Sequence, residues 1–368
     1  DGDEQPTHLL EKDGSVMASG MVKRVSATDY VLNIAGNVGR AVAWLRSLSD
    51  GFVLFDDTDI HAKVPGPVDV VVLGEGEAVA IAGTAGYAQK AYCVGINGAN
   101  YFRESGDALP KFEATVAMVD MLQETPLHAL HVELGAKMAP FAGYDMPLWY
   151  KAVSDEHQAV RTHAGIFDVS HMGVYDVKGA GAEQFIDAVT TNDVQRLAVG
   201  DSHYTYFLDV DGIPLDDLMI YRLSSDHFLV VVNASNDAKN WQWLNAVKSG
   251  EVMLDPSDPA RQIEGADRFE LRNLRASQWG DEQRVDIALQ GPASRDVLLQ
   301  LAGSDADKAK VNALKWAGVA HVTLGGFDLI VSRTGYTGER VAYELFVHPD
   351  KAADLFKTFV DMGVAPCG

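Results

Sequence analysis

Two adjacent carboxylates, Asp216 and Asp217, stand between apolar residues just after the turn sequence Asp211–Pro214. Neighbouring side chains of a β-strand point to opposite faces, so one acid can be solvated while the other faces a cavity. A partly desolvated carboxylate is suited to hold an N–H group or a cation. A pair of acids at the end of a turn can equally cap backbone N–H groups, and the sequence alone does not decide between these roles.

A second candidate is the segment Ser332–Glu339, in which two glycines enclose Tyr336 and Thr337. The glycines let the backbone approach a planar ligand closely, and Tyr336 offers a stacking surface and a hydroxyl group. Downstream, Glu344 occupies an alternating position in an apolar strand. Its side chain is therefore either turned inward and paired or placed on a solvated face, which is the commoner position for a glutamate.

The segment Asp168–His171 contains Asp, Ser and His, the residue types of a nucleophilic triad. Ser170 lacks the flanking glycines of a nucleophile elbow. We therefore expect Asp168 and Ser170 to be turn residues and His171 to be packed. The sequence also contains no phosphate-binding loop, dinucleotide fingerprint or His-Glu-x-x-His zinc motif, and no metal site is predicted.

Hydrophobic periodicity predicts the elements that position these residues. Helices are expected at Thr125–Leu134, Ser154–His163, Ala182–Val189 and Ala352–Met362, and a loop is expected at Phe141–Pro147. Strands are expected at Met172–Lys178, Tyr204–Leu208, Leu218–Leu223, Phe228–Val232, Val285–Leu289, His321–Leu324, Leu329–Ser332 and Ala342–Val347. Short turns and irregularly spaced helices favour an α+β fold, with antiparallel sheets flanked by helices, over a doubly wound parallel sheet.

Residues 13–45 resemble residues 211–244 when a single one-residue gap is allowed. The aligned pairs include Asp13-Gly14 with Asp211-Gly212, Arg24 with Arg222, Tyr30 with Phe228, Asn37 with Asn236, and Trp44-Leu45 with Trp243-Leu244. Each copy predicts a hairpin followed by an amphipathic helix, which indicates a duplication. Ala18-Ser19 stands where the second copy has Asp216-Asp217, so we expect the first copy to be structural or regulatory.

The composition limits the partners of the chain. It has 30 Lys+Arg and 52 Asp+Glu, a net charge of −22, and this argues against nucleic acid as a partner. No apolar run approaches the ~18 residues of a transmembrane helix, so no membrane association is expected. The chain has two widely separated cysteines and no basic-then-apolar leader at its start, which together predict a cytoplasmic protein.

A set of colinear motifs runs from Thr125 to Gly368. The motifs are Thr125–His128, His131–Lys137, Phe141–Gly143 with Met146-Pro147, Phe167–Gly173, Thr191–Asp193, Gly212 with Leu215–Leu218, Val232–Ala234, Leu289–Pro292 and Ser332–Glu339. Together they resemble the tetrahydrofolate-dependent aminomethyl- and methyltransferases, and above all the aminomethyltransferase (T-protein) of the glycine cleavage system. The resemblance implies that residues 125–368 form the folate-binding domain of that family.

The same resemblance implies roles for five residues. Asp217 matches the catalytic carboxylate, which orients the folate beside its reacting N5, and Tyr204 and Tyr336 match folate-contacting tyrosines. Glu344 matches the acid that binds the edge of the pterin ring, and Asn236 matches a residue that lines the same pocket. The implied reaction transfers the methylene group of an aminomethyl-lipoyl arm, carried by lipoylated H-protein, to the co-substrate tetrahydrofolate and releases ammonia.

Departures from the family pattern define the expected domains. The chain ends before the family's C-terminal β-domain, so the domain at 125–368 is expected to be incomplete. Residues 1–103 are expected to be a degenerate repeat of the folate-domain hairpin-helix unit, and residues 104–124 a linker that becomes helical. The segment Gly338–Glu344 is one residue longer than its family counterpart, which bears on the register of Glu344.

Two other functions share the implied folate contacts. One is a tetrahydrofolate-dependent demethylase that acts on a methylated sulfur or nitrogen compound. The other is a non-enzymatic folate-binding protein, whose relatives carry a Lys-Gly-Cys-Tyr-x-Gly-Gln motif. That motif is missing here and Asp217 is retained, so the sequence favours an enzyme.

Overall fold

A computed structural model describes residues 4–10, 16–26, 29–36, 38–49, 70, 108–115, 121–256 and 259–368. The chain divides into two units, Asp1–Ser105 and Gly106–Gly368. Of the residues aligned in the internal repeat, Asp13, Gly14 and Asn37 lie outside the described residues. None of the helices in the described ranges has the length and apolar character needed to cross a membrane.

The described part of the first unit is a three-stranded antiparallel sheet followed by a helix. Its elements are β1 (Glu4–Leu10), β2 (Val16–Arg24), β3 (Tyr30–Gly36) and α1 (Val38–Ser49). The hairpin and helix expected for the first copy of the repeat are present.

The second unit contains the remaining elements. Its helices are α2 (His128–Glu133), α3 (Val153–Thr162), α4 (Ala182–Val189), α5 (Asp237–Lys248), α6 (Ser294–Gln300), α7 (Asp305–Ala313) and α8 (Pro349–Asp361). Its strands are β4 (Lys137–Phe141), β5 (Tyr144–Trp149), β6 (Gly165–Asp168), β7 (Gly173–Lys178), β8 (Ser202–Leu208), β9 (Pro214–Ser224), β10 (His227–Val232), β11 (Glu270–Asn273), β12 (Val285–Gln290), β13 (Val319–Leu324), β14 (Phe327–Ser332), β15 (Ala342–Val347) and β16 (Ala365–Cys367). Short 3-10 turns occur at Val194–Arg196, Ala234–Asn236, Ala266–Arg268 and Ser277–Glu282.

Two sheets organise the second unit. One has five strands in the order β11-β7-β10-β9-β8, and the other has six in the order β13-β14-β15-β12-β6-β16. The strands pair antiparallel except for β16, which pairs parallel with β6. The α+β fold with antiparallel sheets and flanking helices is therefore confirmed.

Strand alternation explains how the two sheets share a core. In β10, Phe228 and Val230 pack with the side chains of α4 and α5, whereas Leu229 and Val231 point to the opposite face of the sheet. On that opposite face they join Phe346 from the six-stranded sheet in a separate apolar cluster. The apolar faces of the two sheets therefore meet, and residues of β9 and β15 come into contact.

The two segments that align in sequence have the same strand register. Val22 pairs with Gln5 on one side and Leu32 on the other, and its aligned partner Ile220 pairs with His203 and Val230. Both sheets also contain a register shift at the same aligned place, after Leu9 in β1 and after Phe207 in β8. Identical pairing across three strands is the pattern that a duplicated unit retains.

One local expectation is wrong, and another falls partly on residues 104–107 and 116–120, which lie outside the described residues. Phe141–Pro147 is not a loop, because β4 and β5 form a hairpin there. The turn residues Ala142 and Gly143 have φ values of 49° and 84°, the left-handed conformation that a two-residue hairpin turn requires. The expected linker helix is absent from the described residues of 104–124, and Leu109 and Pro110 instead bond to the backbone of Pro259 and Met253.

A buried carboxylate, Asp168, ties the start of the second unit to its six-stranded sheet. It accepts hydrogen bonds from the Thr125 hydroxyl (2.7 Å), from His131 Nε2 (2.9 Å) and from both the backbone N–H and the hydroxyl of Ser170 (2.8 and 2.6 Å). The Tyr150 hydroxyl lies 2.7 Å from His131 Nδ1, so as a donor it leaves the imidazole proton on Nε2, facing Asp168. Burial alone would raise the pKa of Asp168, but these hydrogen bonds outweigh it and lower the pKa.

Replacing Asp168 tests this network. We expect Asp168→Asn to lower the free energy of unfolding at pH 7 by about 2–3 kcal/mol, because an amide accepts these hydrogen bonds less strongly than a charged carboxylate. A lowered folded-state pKa stabilises the protein above the ordinary carboxyl pKa of about 4, and this stabilisation disappears as the pH falls through the folded-state value. Urea unfolding at pH 7 and at low pH measures both effects.

The exposed Asp361→Asn on α8 is the control, since its ion pair with Lys357 is worth at most about 0.5 kcal/mol. Equal stability losses for the two variants would contradict the role given to Asp168.

Candidate active site

A cavity of about 850 Å³ lies in the second unit and is lined by residues of both sheets. Its walls come from the β4–β5 hairpin, the residues after β6, the β8–β9 pair, the residues after β10 and the loop before β15. The lining includes Phe141, Met146, Leu148, Phe167, Asp168, His171, Met172, His203, Tyr204, Asp217, Met219, Asn233, Asp286, Trp316, Thr334, Tyr336, Glu344 and Cys367. A mostly apolar wall with a few polar groups is typical of a small-molecule site.

The two adjacent acids on β9 have opposite environments. Asp216 is buried and accepts four hydrogen bonds: two from Asn233, through its backbone N–H (3.0 Å) and Nδ2 (2.9 Å), and one each from Asn236 Nδ2 (2.6 Å) and Asn240 Nδ2 (2.6 Å). These donors come from the end of β10 and the start of α5. Asp216 is therefore the cap expected from one interpretation of the sequence, and it fixes the junction of strand and helix.

Asp217 points the other way, as the alternation of a strand requires. Its carboxylate is exposed and lines the cavity. Oδ2 accepts a hydrogen bond from the Tyr204 hydroxyl at 2.9 Å, and Oδ1 accepts one from Asn233 Nδ2 at 3.2 Å. The hydrogen bond with Tyr206 and the neighbouring Asp217 raise the pKa of Tyr204, so its phenol remains a neutral donor. The site thus presents a negative charge held in a fixed orientation.

Glu344 lies in another part of the cavity wall. It accepts hydrogen bonds from the Tyr221 hydroxyl at 3.0 Å and from the Thr334 hydroxyl. Its side chain is therefore turned inward and paired, not placed on the solvated face that strand statistics favour. Burial raises the pKa of Glu344, and the two hydroxyl donors oppose that rise.

Tyr336 stands at the cavity with 57% of its surface exposed and its ring edge-to-face with Phe167, 5.9 Å between centroids. Four of the five residues predicted from the sequence therefore line one cavity: Tyr204, Asp217, Tyr336 and Glu344. Asn236 is not among the lining residues, because its amide is turned to Asp216. Asn233, three residues earlier, lines the cavity in its place.

Asp168, Ser170 and His171 do not form a nucleophilic triad. The Ser170 hydroxyl donates to Asp168 rather than to an imidazole, and His171 Nδ1 has no hydrogen-bond partner among the described residues. Burial lowers the pKa of His171, so the ring is neutral near pH 7. Ser170 lies in a turn and His171 is packed, as expected, whereas Asp168 is the last residue of β6 and accepts the Ser170 N–H.

Sequence analysis missed three polar residues of the site. Asn233 and Tyr221 carry no distinctive sequence signal, because an Asn after a strand and a Tyr within one are common. Asp286 does carry one: it is a lone acid in the apolar strand Val285–Gln290, all of which is buried. An acid at such a position needs a partner, and that requirement could have indicated the site.

Comparison with known proteins agrees with this fold. Residues 127–368 match the family described as GCVT N-terminal domain. The match covers most of the chain, so the chain belongs to the GCVT N-terminal domain family. The resemblance noted in the sequence is therefore confirmed.

Particular members of the family are named aminomethyltransferase. The aminomethyltransferase of Anoxybacillus flavithermus is 38% identical over 252 residues, which are 67% of this chain and 62% of the relative. That of Symbiobacterium thermophilum is 38% identical over 257 residues, 68% of this chain and 62% of the relative. The crystal structure of glycine cleavage system aminomethyltransferase T from Bartonella henselae is 31% identical with a TM-score of 0.55, covering 67% of this chain and 60% of that one. The chain thus spans about 62% of the length of the curated relatives that it matches.

The position of Asp217 depends on the hydrogen bonds to Asp216, which a substitution can test. We expect Asp216→Asn to lower the free energy of unfolding by about 2–3 kcal/mol, since an amide placed against three asparagine amides loses charge-assisted bonds. Urea unfolding measures this free energy for Asp216→Asn and for the control Asp226→Asn, which lies in an exposed turn. A stability of Asp216→Asn within about 0.5 kcal/mol of wild type would show that the asparagines do not organise the site.

Proposed function

We propose that the chain is a tetrahydrofolate-dependent aminomethyltransferase, which transfers the methylene group of an aminomethyl-lipoyl arm on H-protein to tetrahydrofolate. The observation that carries the proposal is that Asp217 and Glu344, two acids 127 positions apart by their residue numbers, line the same cavity. Relatives in the same family are named aminomethyltransferase. A cavity of about 850 Å³ is within the size range of small-molecule sites.

The carboxylate of Glu344 can bind the pterin ring of the folate. An ionised carboxylate has two oxygens that accept parallel N–H bonds, and the aminopyrimidinone edge of a pterin offers two adjacent N–H donors. Tyr221 and Thr334 donate to Glu344 and fix its orientation before a ligand arrives. Tyr336 adds an exposed aromatic surface on the same cavity, on which a flat ring can stack.

The carboxylate of Asp217 can stabilise the reacting centre of the transfer. The C–S bond of the aminomethyl-lipoyl group breaks, N5 and N10 of tetrahydrofolate bond to the methylene carbon, and ammonia leaves. The two N–H hydrogens of the folate end on the sulfur and on the ammonia, so the reaction needs no oxidant. The carbon is iminium-like as the sulfur departs, and a fixed carboxylate stabilises that positive charge and orients N5.

Replacement of Asp217 tests this role. We expect Asp217→Asn to lower the rate of methylene transfer by about 10²–10³-fold, because a neutral amide stabilises the cation less. The affinity for tetrahydrofolate should fall only slightly, since the ring contacts are unchanged. Formation of 5,10-methylenetetrahydrofolate and release of ammonia from aminomethyl-lipoyl H-protein measure the rate, and calorimetry measures the affinity.

Asp267→Asn, an exposed acid outside the cavity lining, is the control and should retain wild-type rates. Full transfer activity in Asp217→Asn would contradict the assignment. Turnover of a methylated sulfonium or amine in place of the lipoyl substrate would indicate a demethylase, and folate binding without either turnover would indicate a binding protein.

We also infer that the first unit is a degenerate copy of the folate-site hairpin and not a second site. Its sheet has the register of β8-β9-β10, but Ser19 stands at the place of Asp217 and His8 at the place of Tyr206. Ser19 Oγ and His8 Nδ1 are 2.9 Å apart and bond to each other. A neutral serine cannot supply the charge that the proposed chemistry requires.

This inference predicts one folate site per chain. Calorimetric titration of the chain with tetrahydrofolate should give a stoichiometry near one, and Ser19→Ala should leave both the stoichiometry and the affinity unchanged. Two equivalents bound per chain, with one removed by Ser19→Ala, would show that the first unit also binds folate.

A further inference from the structure

A second acid, Asp286, lies beside Glu344 and has no part in the proposed reaction. It belongs to β12, has no solvent-exposed surface and borders the cavity. Neither of its carboxylate oxygens has a well-aligned hydrogen-bond donor from another residue among those described. A buried carboxyl group without donors is costly if it is charged, so Asp286 requires an explanation.

The pairing of β12 with β15 brings the two acids together: Asp286 lies opposite Phe346, and Glu344 lies opposite Ala288. Asp286 and Glu344 are therefore diagonal neighbours on the same face of two adjacent strands, and both line the cavity. Two ionised carboxylates only repel, because neither has a hydrogen to donate. The contact is favourable only when one of them carries a proton, as in pairs of acids that share one.

The surroundings decide which acid keeps the proton. Burial and the charge of Glu344 raise the pKa of Asp286 well above its ordinary value, and the nearby carboxylate of Asp168 raises it further. Glu344 differs because hydroxyl groups of Thr334 and Tyr221 donate to it and stabilise its ionised form. Among the described residues, hydroxyl donors reach Glu344 and none reaches Asp286, and this arrangement favours the negative charge on Glu344 and the proton on Asp286.

We propose that Asp286 is a positioning residue for the folate ring. Its carboxyl group stays protonated and donates a hydrogen bond to the carboxylate of Glu344. That bond keeps Glu344 ionised and fixes the orientation in which its oxygens accept the N–H groups of the ring. The proposal rests on the proposed function, in which Glu344 binds the ring edge. The titratable groups that face the pair are Asp168 on β6, Tyr221 on β9 and Tyr336 in the loop before β15.

Two substitutions separate the proton of Asp286 from the shape of its side chain. Asp286→Asn retains a donor toward Glu344 and cannot ionise, whereas Asp286→Leu keeps the branching at Cγ but has no donor. The measurement is the dissociation constant of tetrahydrofolate, determined by calorimetry between pH 5 and pH 9 on the whole chain. Circular dichroism checks that both variants fold.

The affinity of the wild-type chain for tetrahydrofolate, plotted against pH, should give a bell-shaped curve. Acid weakens binding because it protonates Glu344, and alkali weakens it because ionised Asp286 repels Glu344 and stops donating. We expect Asp286→Asn to lose the alkaline decline and keep the acid one. We expect Asp286→Leu to bind about tenfold more weakly near pH 7, the effect of losing one charge-assisted hydrogen bond, and to move the acid decline to higher pH.

The exposed Asp296→Asn on α6 is the control and should reproduce the wild-type profile. Wild-type profiles for both Asp286 variants, or equal weakening in both with no change in pH dependence, would overturn the positioning role. A wild-type chain that does not bind tetrahydrofolate at any pH would overturn the proposed function itself, which distinguishes the two failures.

Discussion

A carboxylate removed from water needs hydrogen-bond donors, and this requirement organises the second unit. Asp216 shows it most clearly, because three asparagines, two from the segment between β10 and α5 and one from α5, converge on one buried acid. Its neighbour Asp217 is then carried to the opposite face of the strand and faces the cavity. Asp168 and Glu344 follow the same rule with other donors. Of the two adjacent acids, Asp216 therefore stabilises the junction of strand and helix, and Asp217 faces the cavity.

The site depends on the packing of two sheets more than on any single segment. Tyr221 of the five-stranded sheet donates to Glu344 of the six-stranded sheet, and beside that bond the rings of Tyr221 and Phe346 meet edge-to-face at 5.5 Å. The acid proposed to bind the ring is thus oriented by a residue of the sheet that carries Asp217. A change in the packing of the sheets would alter both ends of the site together.

The sequence predicts the strands from β7 to β10 well. Side chains of β8 and β9 alternate between buried and more exposed positions, whereas β7 and β10 are buried on both faces and are recognised as short, mainly apolar segments. The shared register of the two aligned segments follows from aligned residues such as Arg24 and Arg222. Periodicity gives the face on which a side chain lies but not its partner on a distant strand. The resemblance implies that Asn236 lines the pocket, but its amide is turned to Asp216. The approach of Asp286 to Glu344 depends on the pairing of β12 with β15, which periodicity does not give.

In the proposed function, one folate molecule spans the cavity, with its ring edge at Glu344 and its N5 beside Asp217. A crystal structure of the chain with bound 5-methyltetrahydrofolate tests this arrangement. We expect hydrogen bonds from the ring N–H groups to the carboxylate of Glu344, and N5 within hydrogen-bonding distance of Asp217. A folate bound outside this cavity, or bound in it with the ring edge away from Glu344, would show that the proposed function is wrong.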